Sequence, residues 1–353
     1  MITIGVDAHK SVHVALALND AGHQLEEWRG PNDMAGWESL ERWAQALGNE
    51  RQWGIEGAWN YGRGLAQHLV AGGELVFDIN PRWTAVRRRS ARKPGKTDKL
   101  DASAVALLVR QESASLPRVH PEDETAILDL LTTERESAVG EASRLRNQIH
   151  ALILQVDSEY KSHLPSLNNQ AGLKALLNYE APDARPLQGE RAASIRRFAH
   201  RLQLAILQAD ELEKRIKVLA DASFRPLTQL CGVNSLTAGT LAAILGPGNR
   251  FASDAQLAAY AGVAPLETSS AGLVRHRLNR GGNRRLNAVL YRIVLTQAHH
   301  HPEARVYIER RTSEGKTKRE AHRALRRFVI RAVWKLWQEC QAAQVAKSMT
   351  QAA

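Results

Sequence analysis

Cysteine is nearly absent from this sequence, which contains only Cys231 and Cys340 among 353 residues, and they form no Cys-x-x-Cys pair. Such scarcity argues against a disulfide framework and a structural zinc site, and it favours a reducing compartment. The sequence also lacks an apolar run approaching the ~20 residues that span a bilayer. Its N-terminus lacks the basic and apolar regions of a signal peptide. We therefore expect a soluble cytoplasmic protein without a membrane partner.

Acidic residues are outnumbered by basic ones. The chain carries 37 Asp and Glu against 48 Lys and Arg, which gives a formal net charge of +11. This balance indicates a polyanionic partner, either a nucleic acid or an anionic membrane surface. The hydrophobic content of 44% is ordinary for a folded protein, and the length suggests two or three domains.

Four of the acids stand at spacings that suit a divalent metal site. Asp7 and Glu56 each end a short apolar run that predicts a strand. Asp98 and Asp101 lie three residues apart in a segment that predicts a helix, so they share one face. Four carboxylates in one cleft repel one another unless a cation holds them, and Mg²⁺ is the usual cation for phosphodiester substrates. We therefore predict a magnesium site, with Mn²⁺ as an alternative.

The N-terminal third predicts an α/β fold. Strands are predicted over residues 3–7 and 12–18, before Gly30, and over residues 53–56 and 75–79. Helices are predicted over residues 33–47 and 64–70 and, with Thr97 as N-cap, up to about Gln111. Three hairpin-like strands followed by alternating helices and strands are typical of a ribonuclease-H-like fold. Such folds carry acids on the first strand, the fourth strand and the last helix, where the four acids fall.

The middle of the chain predicts long helices. Apolar residues at alternating spacings of three and four run from Leu131 to Val156 and again from Leu202 to Leu219. These heptad patterns predict two helices that pack on each other or on another copy of the chain. A short helix is predicted between them, over residues 173–177. Because such short coiled coils commonly serve as spacers or dimer interfaces, we expect oligomerisation through this region.

The C-terminal third predicts a mainly helical domain. Residues 230–246 have the pattern of a turn followed by an apolar helix, a helix-hairpin-helix-like element that offers backbone N–H groups to a DNA phosphate. A turn at Pro265, the pair Ser269-Ser270 and a basic loop follow, and then basic helices to about Ala342. The predicted fold class is thus α/β plus all-α. The predicted domains are 1–120 (metal-binding), 121–222 (coiled coil and linker), 223–342 (C-terminal helical) and 343–353 (a frayed tail).

In this order the motifs resemble the DEDD transposases of bacterial insertion sequences, a family of bridge-RNA-guided recombinases, over most of the chain. The most specific motifs are the Lys-x-Asp-x-x-Asp-Ala string that ends at Ala102 and the two serines after the Pro265 turn. The other motifs are Ile4-Gly5-Val6-Asp7, Ile55-Glu56, Ile79-Asn80-Pro81, Gly262-Val263-Ala264-Pro265 and Gly281-Gly282-Asn283.

The resemblance implies a RuvC-like N-terminal domain whose four acids bind magnesium and a C-terminal transposase domain with a nucleophilic serine. By position the serine is Ser270, with Ser269 as the alternative. The resemblance also implies dimers that pair into tetramers, in which the serine of one subunit completes the metal site of another. A structured noncoding RNA is implied to select donor and target double-stranded DNA by base pairing, in a bacterial cytoplasm and at the nucleoid.

A dense basic stretch precedes the two-Asp helix, and further basic residues surround the serine. They are candidate phosphate contacts, although a solvated loop would have the same composition, and binding through so many cations should weaken steeply with salt. The candidate nucleic-acid-binding residues are Arg82, Arg87, Arg88, Arg89, Arg92, Lys93, Lys96, Arg275, Arg277, Arg280, Asn283, Arg284 and Arg285.

Three functions are compatible with these patterns. The first is an RNA-guided DNA recombinase that forms a covalent phosphoserine intermediate through Ser270. The second is a RuvC-type nuclease in which metal-activated water replaces the serine, so that strands break without a protein adduct. The third is a nucleic-acid-binding protein without catalysis, which magnesium-dependent cleavage would exclude.

Overall fold

The computed structural model of the chain describes residues 1–81, 83–84, 97–182, 185–267, 276–277, 279 and 281–351. Two compact units are present. One contains Met1–Ala126, Phe224–Asn234 and Ile244–Ala353, and the other contains Ile127–Ser223 and Ser235–Ala243. Within the described part of the chain, no helix combines the length and the apolar composition needed to cross a membrane.

A five-stranded mixed sheet forms the N-terminal part of the first unit. Its strand order is β3-β2-β1-β4-β5, with antiparallel pairing among the first three strands and parallel pairing of β1 with β4 and of β4 with β5. Near-continuous burial of β1, β2 and β4 reflects cover on both faces of the sheet. The strands are β1 (Ile2–Ala8), β2 (Val12–Leu18), β3 (Gln24–Pro31), β4 (Arg51–Glu56) and β5 (Leu75–Ile79).

Three helices cover this sheet: α1 (Met34–Leu47), α2 (Arg63–Ala71) and α3 (Asp98–Glu112). Their starts follow from the sequence, because Asp33 accepts a hydrogen bond from Gly36 N and Thr97 accepts one from Leu100 N. The apolar sides of α1 and α2 share a core with Trp53, while small residues of α3 pack against β2. The predicted strands and helices of this region are thereby confirmed, and the mixed α/β arrangement is compatible with a ribonuclease-H-like fold.

Two long helices dominate the second unit, and they pack on each other. Apolar residues from both form one core, which includes Ile149 and Leu202. The ion pairs Arg135–Glu213 (2.5 Å) and Arg201–Glu141 (3.1 Å) flank it. The helices predicted from the two heptad patterns and the short helix between them are therefore present. The helices of this region are α4 (Glu124–Val156), α5 (Gln170–Leu177), α6 (Pro186–Ser223) and α7 (Ser235–Leu245).

In the residues that the structure describes, the C-terminal part of the chain is mainly helical and contains one short strand pair. Its longest helix continues to Gln351, whereas a frayed tail was expected from residue 343. The alanines at 342, 343 and 346 are strong helix formers, which accounts for the difference. The elements are α8 (Asp254–Tyr260), β6 (Leu266–Glu267), β7 (His276–Arg277), α9 (Arg284–His300), α10 (Pro302–Ser313) and α11 (Lys318–Gln351).

A buried arginine joins the N-terminal sheet to the C-terminal helices within the first unit. Arg250 is 6% exposed and donates to Asp78 Oδ2 on β5 at 2.8 Å. Its guanidinium carbon also lies 5.6 Å, 5.2 Å and 5.0 Å from the ring centroids of Trp59, Phe251 and Tyr260. Two residues of opposite charge that are far apart in the sequence therefore form an ion pair surrounded by aromatic rings.

Candidate functional site

Asp7 and Glu56 lie side by side at the carboxyl ends of two parallel strands. Asp7 is the penultimate residue of β1, Glu56 is the last residue of β4, and the two are register partners. Thr84 Oγ1 lies 3.2 Å from Glu56 Oε2 and 2.9 Å from the carbonyl oxygen of Pro81. The segment after β5 therefore supports the Glu56 carboxylate at this edge of the sheet.

The third helix reaches the same edge because two glycines let it approach the sheet closely. Gly5 and Gly54 are register partners on β1 and β4. A Cβ atom on Gly5 would lie 2.2 Å from Ala102 O and 2.3 Å from Ala106 N. One on Gly54 would lie 2.4 Å from a methyl carbon of Val109. The close approach brings the first turn of α3, which carries Asp98 and Asp101, towards Asp7.

Three side chains at this edge offer ligand atoms within 4.8 Å of one another: Asp7, His9 and Asp98. His9 Nε2 lies 3.1 Å from Asp7 Oδ2 and 3.6 Å from Asp98 Oδ1. Asp101 interacts electrostatically with Asp7 from one turn further along α3. His9 was not among the predicted ligands; its signal in the sequence is its place two residues after the first acid, in the turn that follows β1.

Electrostatics at this edge favour a bound cation. Burial raises the pKa of Asp7, and the carboxylates of Asp101 and Asp98 raise it further, while His9 acts in the opposite direction. Arg29 donates to Asp98 Oδ2 at 3.2 Å from a largely exposed position and partly balances the charge of this carboxylate. Clustered oxygen donors with one imidazole nitrogen fit a hard or borderline divalent cation such as Mg²⁺ or Mn²⁺.

Most of the predicted nucleic-acid contacts and both candidate serines lie outside the described residues. Arg277 is described only in its backbone, as part of β7. Arg284 is exposed at the start of α9, and Arg285 is half-buried beside it. The predicted residues outside the described ranges are Arg82, Arg87, Arg88, Arg89, Arg92, Lys93, Lys96, Ser269, Ser270, Arg275 and Arg280.

The segment that carries the serines leaves and re-enters the described structure at one place. Leu266 pairs with Arg277 and Glu267 with His276, so β6 and β7 enclose residues 268–275 in the sequence. Behind this pair, Gly262 adopts a φ of 68°, and a Cβ on Gly282 would lie 2.3 Å from Gly262 N. These contacts give a physical reason for the two glycine motifs on either side of the serines.

Asn283 has structural partners at the end of this segment. Its side-chain oxygen accepts a hydrogen bond from Leu286 N and thereby caps α9. Its amide nitrogen lies 2.9 Å from Tyr260 Oη, and its backbone N–H donates to Tyr260 O at 2.7 Å. These bonds hold α8 and α9 together, while a nucleic-acid contact by Asn283 stays a prediction.

Two family models match this chain, one at each end. An IS110-type DEDD transposase model matches residues 4–157, which include all four acids. A model of the IS116/IS110/IS902 transposase family matches residues 225–309, which include the two serines.

Individual relatives also come from insertion elements or from gene-inverting systems. The chain is 31% identical over 283 residues to an uncharacterized 43.6 kDa protein of insertion element IS110 from Streptomyces coelicolor, covering 67% of this chain and 70% of that protein. It is 25% identical to a transposase for insertion sequence element IS1328 from Yersinia enterocolitica, over 70% and 68% of the two chains. It is also 23% identical to a pilin gene-inverting protein of Moraxella bovis, over 93% and 92%.

Proposed function

Since this chain belongs to the IS110 family of DEDD transposases, enzymes that act on DNA, we propose that Ser270 attacks a DNA phosphodiester beside a divalent metal site. The observation that carries the metal site is the cluster of Asp7, Asp98 and His9 at the edge of the sheet. The proposed ligands are the carboxylates of Asp7, Glu56, Asp98 and Asp101, with the imidazole of His9 as a further donor.

The proposed reaction exchanges one phosphodiester for another without losing bond energy. When bound, the divalent cation polarises the scissile phosphate and stabilises the leaving oxygen. Ser270 Oγ forms a bond to phosphorus while the bond to a deoxyribose oxygen breaks, and the serine proton ends on the leaving hydroxyl. The hydroxyl of a new partner strand then attacks the phosphoserine, which forms the new DNA joint and restores the serine.

Support for Ser270 comes from the family resemblance and from its surroundings. The match to the IS116/IS110/IS902 transposase family covers the serine segment, and the β6–β7 pair fixes both ends of that segment. Holding the two ends of a segment together reduces the conformational freedom that a nucleophile within it loses when it attacks. The same argument applies to Ser269, so the choice between the two serines needs an experiment.

Trapping the covalent adduct tests this proposal. With labelled donor DNA and Mg²⁺, the wild-type protein should give a DNA–protein adduct that survives denaturation, and Ser270→Ala should abolish it. Ser269→Ala is the matched control and should retain the adduct. Chelating the metal should prevent adduct formation in every variant. Strand breaks without any adduct would contradict the serine mechanism and favour the nuclease with activated water.

We further propose that a structured noncoding RNA guides this transposase and that it acts as a dimer, or a tetramer of two dimers. The motif resemblance, the net charge of +11 and the long helices support this proposal. Expression from the native locus with its flanking DNA, followed by sequencing of the RNA that copurifies, tests the guidance. An abundant flank RNA with loops complementary to the ends of the element is expected, and random fragments alone would contradict guidance.

A further inference from the structure

A basic cavity opens next to the turn that leads into the serine segment. Its volume is about 480 Å³, which is within the range of small-molecule sites. Residues from the Gly262–Pro265 turn form one wall, and Asn279, Lys316 and side chains from α10 and α11 complete the lining. Because Pro265 directly precedes β6, a molecule in this cavity lies beside the start of the strand that precedes the serines in the sequence.

Positive charge is crowded in this cavity. Among the described residues, five cationic side chains line it against the single carboxylate of Glu320. Arg327 is neutralised by Asp254 at 2.7 Å and Arg311 by Glu314 at 2.6 Å. The other three cations are Lys316, Arg323 and Arg326.

Arg323 and Arg326 are the cations best placed to receive an anion. The nearest contact of Arg323 with Glu320 is long, at 3.9 Å, and Arg326 donates to the neutral Asn287 Oδ1 at 2.7 Å. Burial lowers the pKa of Arg326, and the neighbouring Arg323 lowers it further. A phosphate would relieve this repulsion and would accept hydrogen bonds from both guanidinium groups.

Aromatic rings complete the lining of the cavity. Phe328 is 51% exposed although it is a large apolar side chain, and its ring lies 5.2 Å from that of Tyr307 in an edge-on arrangement. Other positions of α11, such as Val329 and Ile330, supply its buried side. Phe328 therefore offers a free ring face next to cations, which is the combination that unpaired bases use.

We propose that this cavity binds an unpaired nucleotide of a DNA or RNA strand, with its base on Phe328 beside Tyr307 and its phosphate on Arg323 and Arg326. A paired base is already stacked within its duplex and cannot reach a ring inside a cavity. The role that this nucleotide would have in strand exchange rests on the proposed function. Binding itself needs neither the metal nor Ser270.

Photo-crosslinking of the full-length protein tests the stacking contact. The probe is a single-stranded oligodeoxynucleotide that carries 5-iodouracil, which couples to aromatic side chains on irradiation, and EDTA is present throughout. Mass spectrometry should find the crosslink on the peptide with Tyr307 or Phe328. Phe328→Ala should lose the crosslink to position 328 and weaken single-strand binding about 5- to 100-fold, whereas Phe328→Trp should restore binding.

A second comparison separates stacking from charge alone. Arg323→Ala should weaken binding and lower the slope of log affinity against log salt by about 0.7, while Arg305→Ala, an exposed arginine on α10, should change little. Phe328→Ala should bind a duplex of the same sequence with the same affinity as the wild-type protein does. If Phe328→Ala lost the same affinity for duplex and for single strand, or lost no affinity at all, the proposal would be overturned in favour of a general basic surface.

Two further experiments identify the strand and distinguish the cavity proposal from the serine mechanism. A ribo-oligonucleotide of the same sequence shows whether RNA or DNA fits the cavity better, and either preference supports a nucleotide site. Repeating the crosslink with Ser270→Ala should leave it unchanged. A missing adduct with an intact crosslink would contradict only the serine mechanism, and an intact adduct without the crosslink would contradict only the cavity proposal.

Discussion

His9 adds a nitrogen donor to a cluster that the sequence predicted from carboxylates alone. Its Nε2 atom lies 3.1 Å from one Asp7 oxygen and 3.6 Å from one Asp98 oxygen. Mg²⁺ prefers oxygen ligands, whereas Mn²⁺ and later transition metals also accept imidazole nitrogen. A mixed donor set of this kind should therefore bind Mn²⁺ in preference to Mg²⁺.

Replacing His9 by alanine should reduce this preference. In His9→Ala, the affinity for Mn²⁺ should fall about ten-fold and that for Mg²⁺ less, because only Mn²⁺ loses a favourable nitrogen ligand. Calorimetric titration of the DNA-free protein with each metal measures both values. His23→Ala, an exposed histidine in the turn before β3, is the matched control. Equal losses for the two metals would show that His9 only positions Asp7 and Asp98.

At the scale of secondary structure, the distance between α3 and the sheet decides whether the acids meet. Gly5→Ala should push α3 outward, because the new methyl group would lie 2.2 Å from Ala102 O, a backbone atom that cannot rotate away. We expect the free energy of unfolding to fall by about 1–3 kcal/mol and the affinity for the metal to weaken. Thermal unfolding and metal titration of the same protein measure the two effects.

A glycine without neighbours provides the control for this substitution. Gly189 lies in α6 with nothing within 4 Å of the position of a Cβ atom, so Gly189→Ala should stabilise the chain by up to about 1 kcal/mol. Metal affinity should stay unchanged in Gly189→Ala. If Gly5→Ala kept both its stability and its metal affinity, the close approach of α3 would not determine the site.

The elements of this fold could largely be predicted, because their signals are local. Apolar runs predicted the strands that end at Asp7 and Glu56, and Thr97 marked the start of α3. The contact of His9 with Asp98 could not be predicted from spacing, because it depends on where the turn after β1 points relative to α3. Nor could the cavity beside Pro265, which is formed by residues of a turn and two helices.

At the scale of the molecule, one buried ion pair connects the N-terminal sheet with the segment before α8 within the first unit. Asp78 and Arg250 are 172 residues apart and are 16% and 6% exposed in their side chains. No local pattern marks such a pair, since the tertiary fold and not a sequence spacing brings Asp78 and Arg250 together. Because β5 adjoins β4, which carries Glu56, and Arg250 precedes α8, the pair connects the candidate metal site with the helices around the serine segment.

Removing one partner of this pair should lower the free energy of unfolding more than removing both partners. Asp78→Leu leaves a buried guanidinium and Arg250→Met a buried carboxylate, so each should destabilise the protein by about 3–5 kcal/mol. In the double variant no charge remains buried, and the loss should be smaller than the sum of the two single losses. Urea unfolding of the three variants gives this coupling energy. Glu190→Ala and Arg197→Ala, which break an exposed pair, should each cost less than about 1 kcal/mol.

The same variants test whether the connection matters for catalysis. In Arg250→Met, the four acids keep their supporting elements, so metal affinity should change little at temperatures where the protein stays folded. Adduct formation should fall, because the helices around the serine segment lose a fixed contact with the sheet that carries the acids. Metal titration and adduct trapping on one preparation give both values. If metal affinity and adduct formation fell together, the pair would instead stabilise the sheet itself. If the unfolding free energies of the two single variants were additive in the double variant, the two charges would act independently.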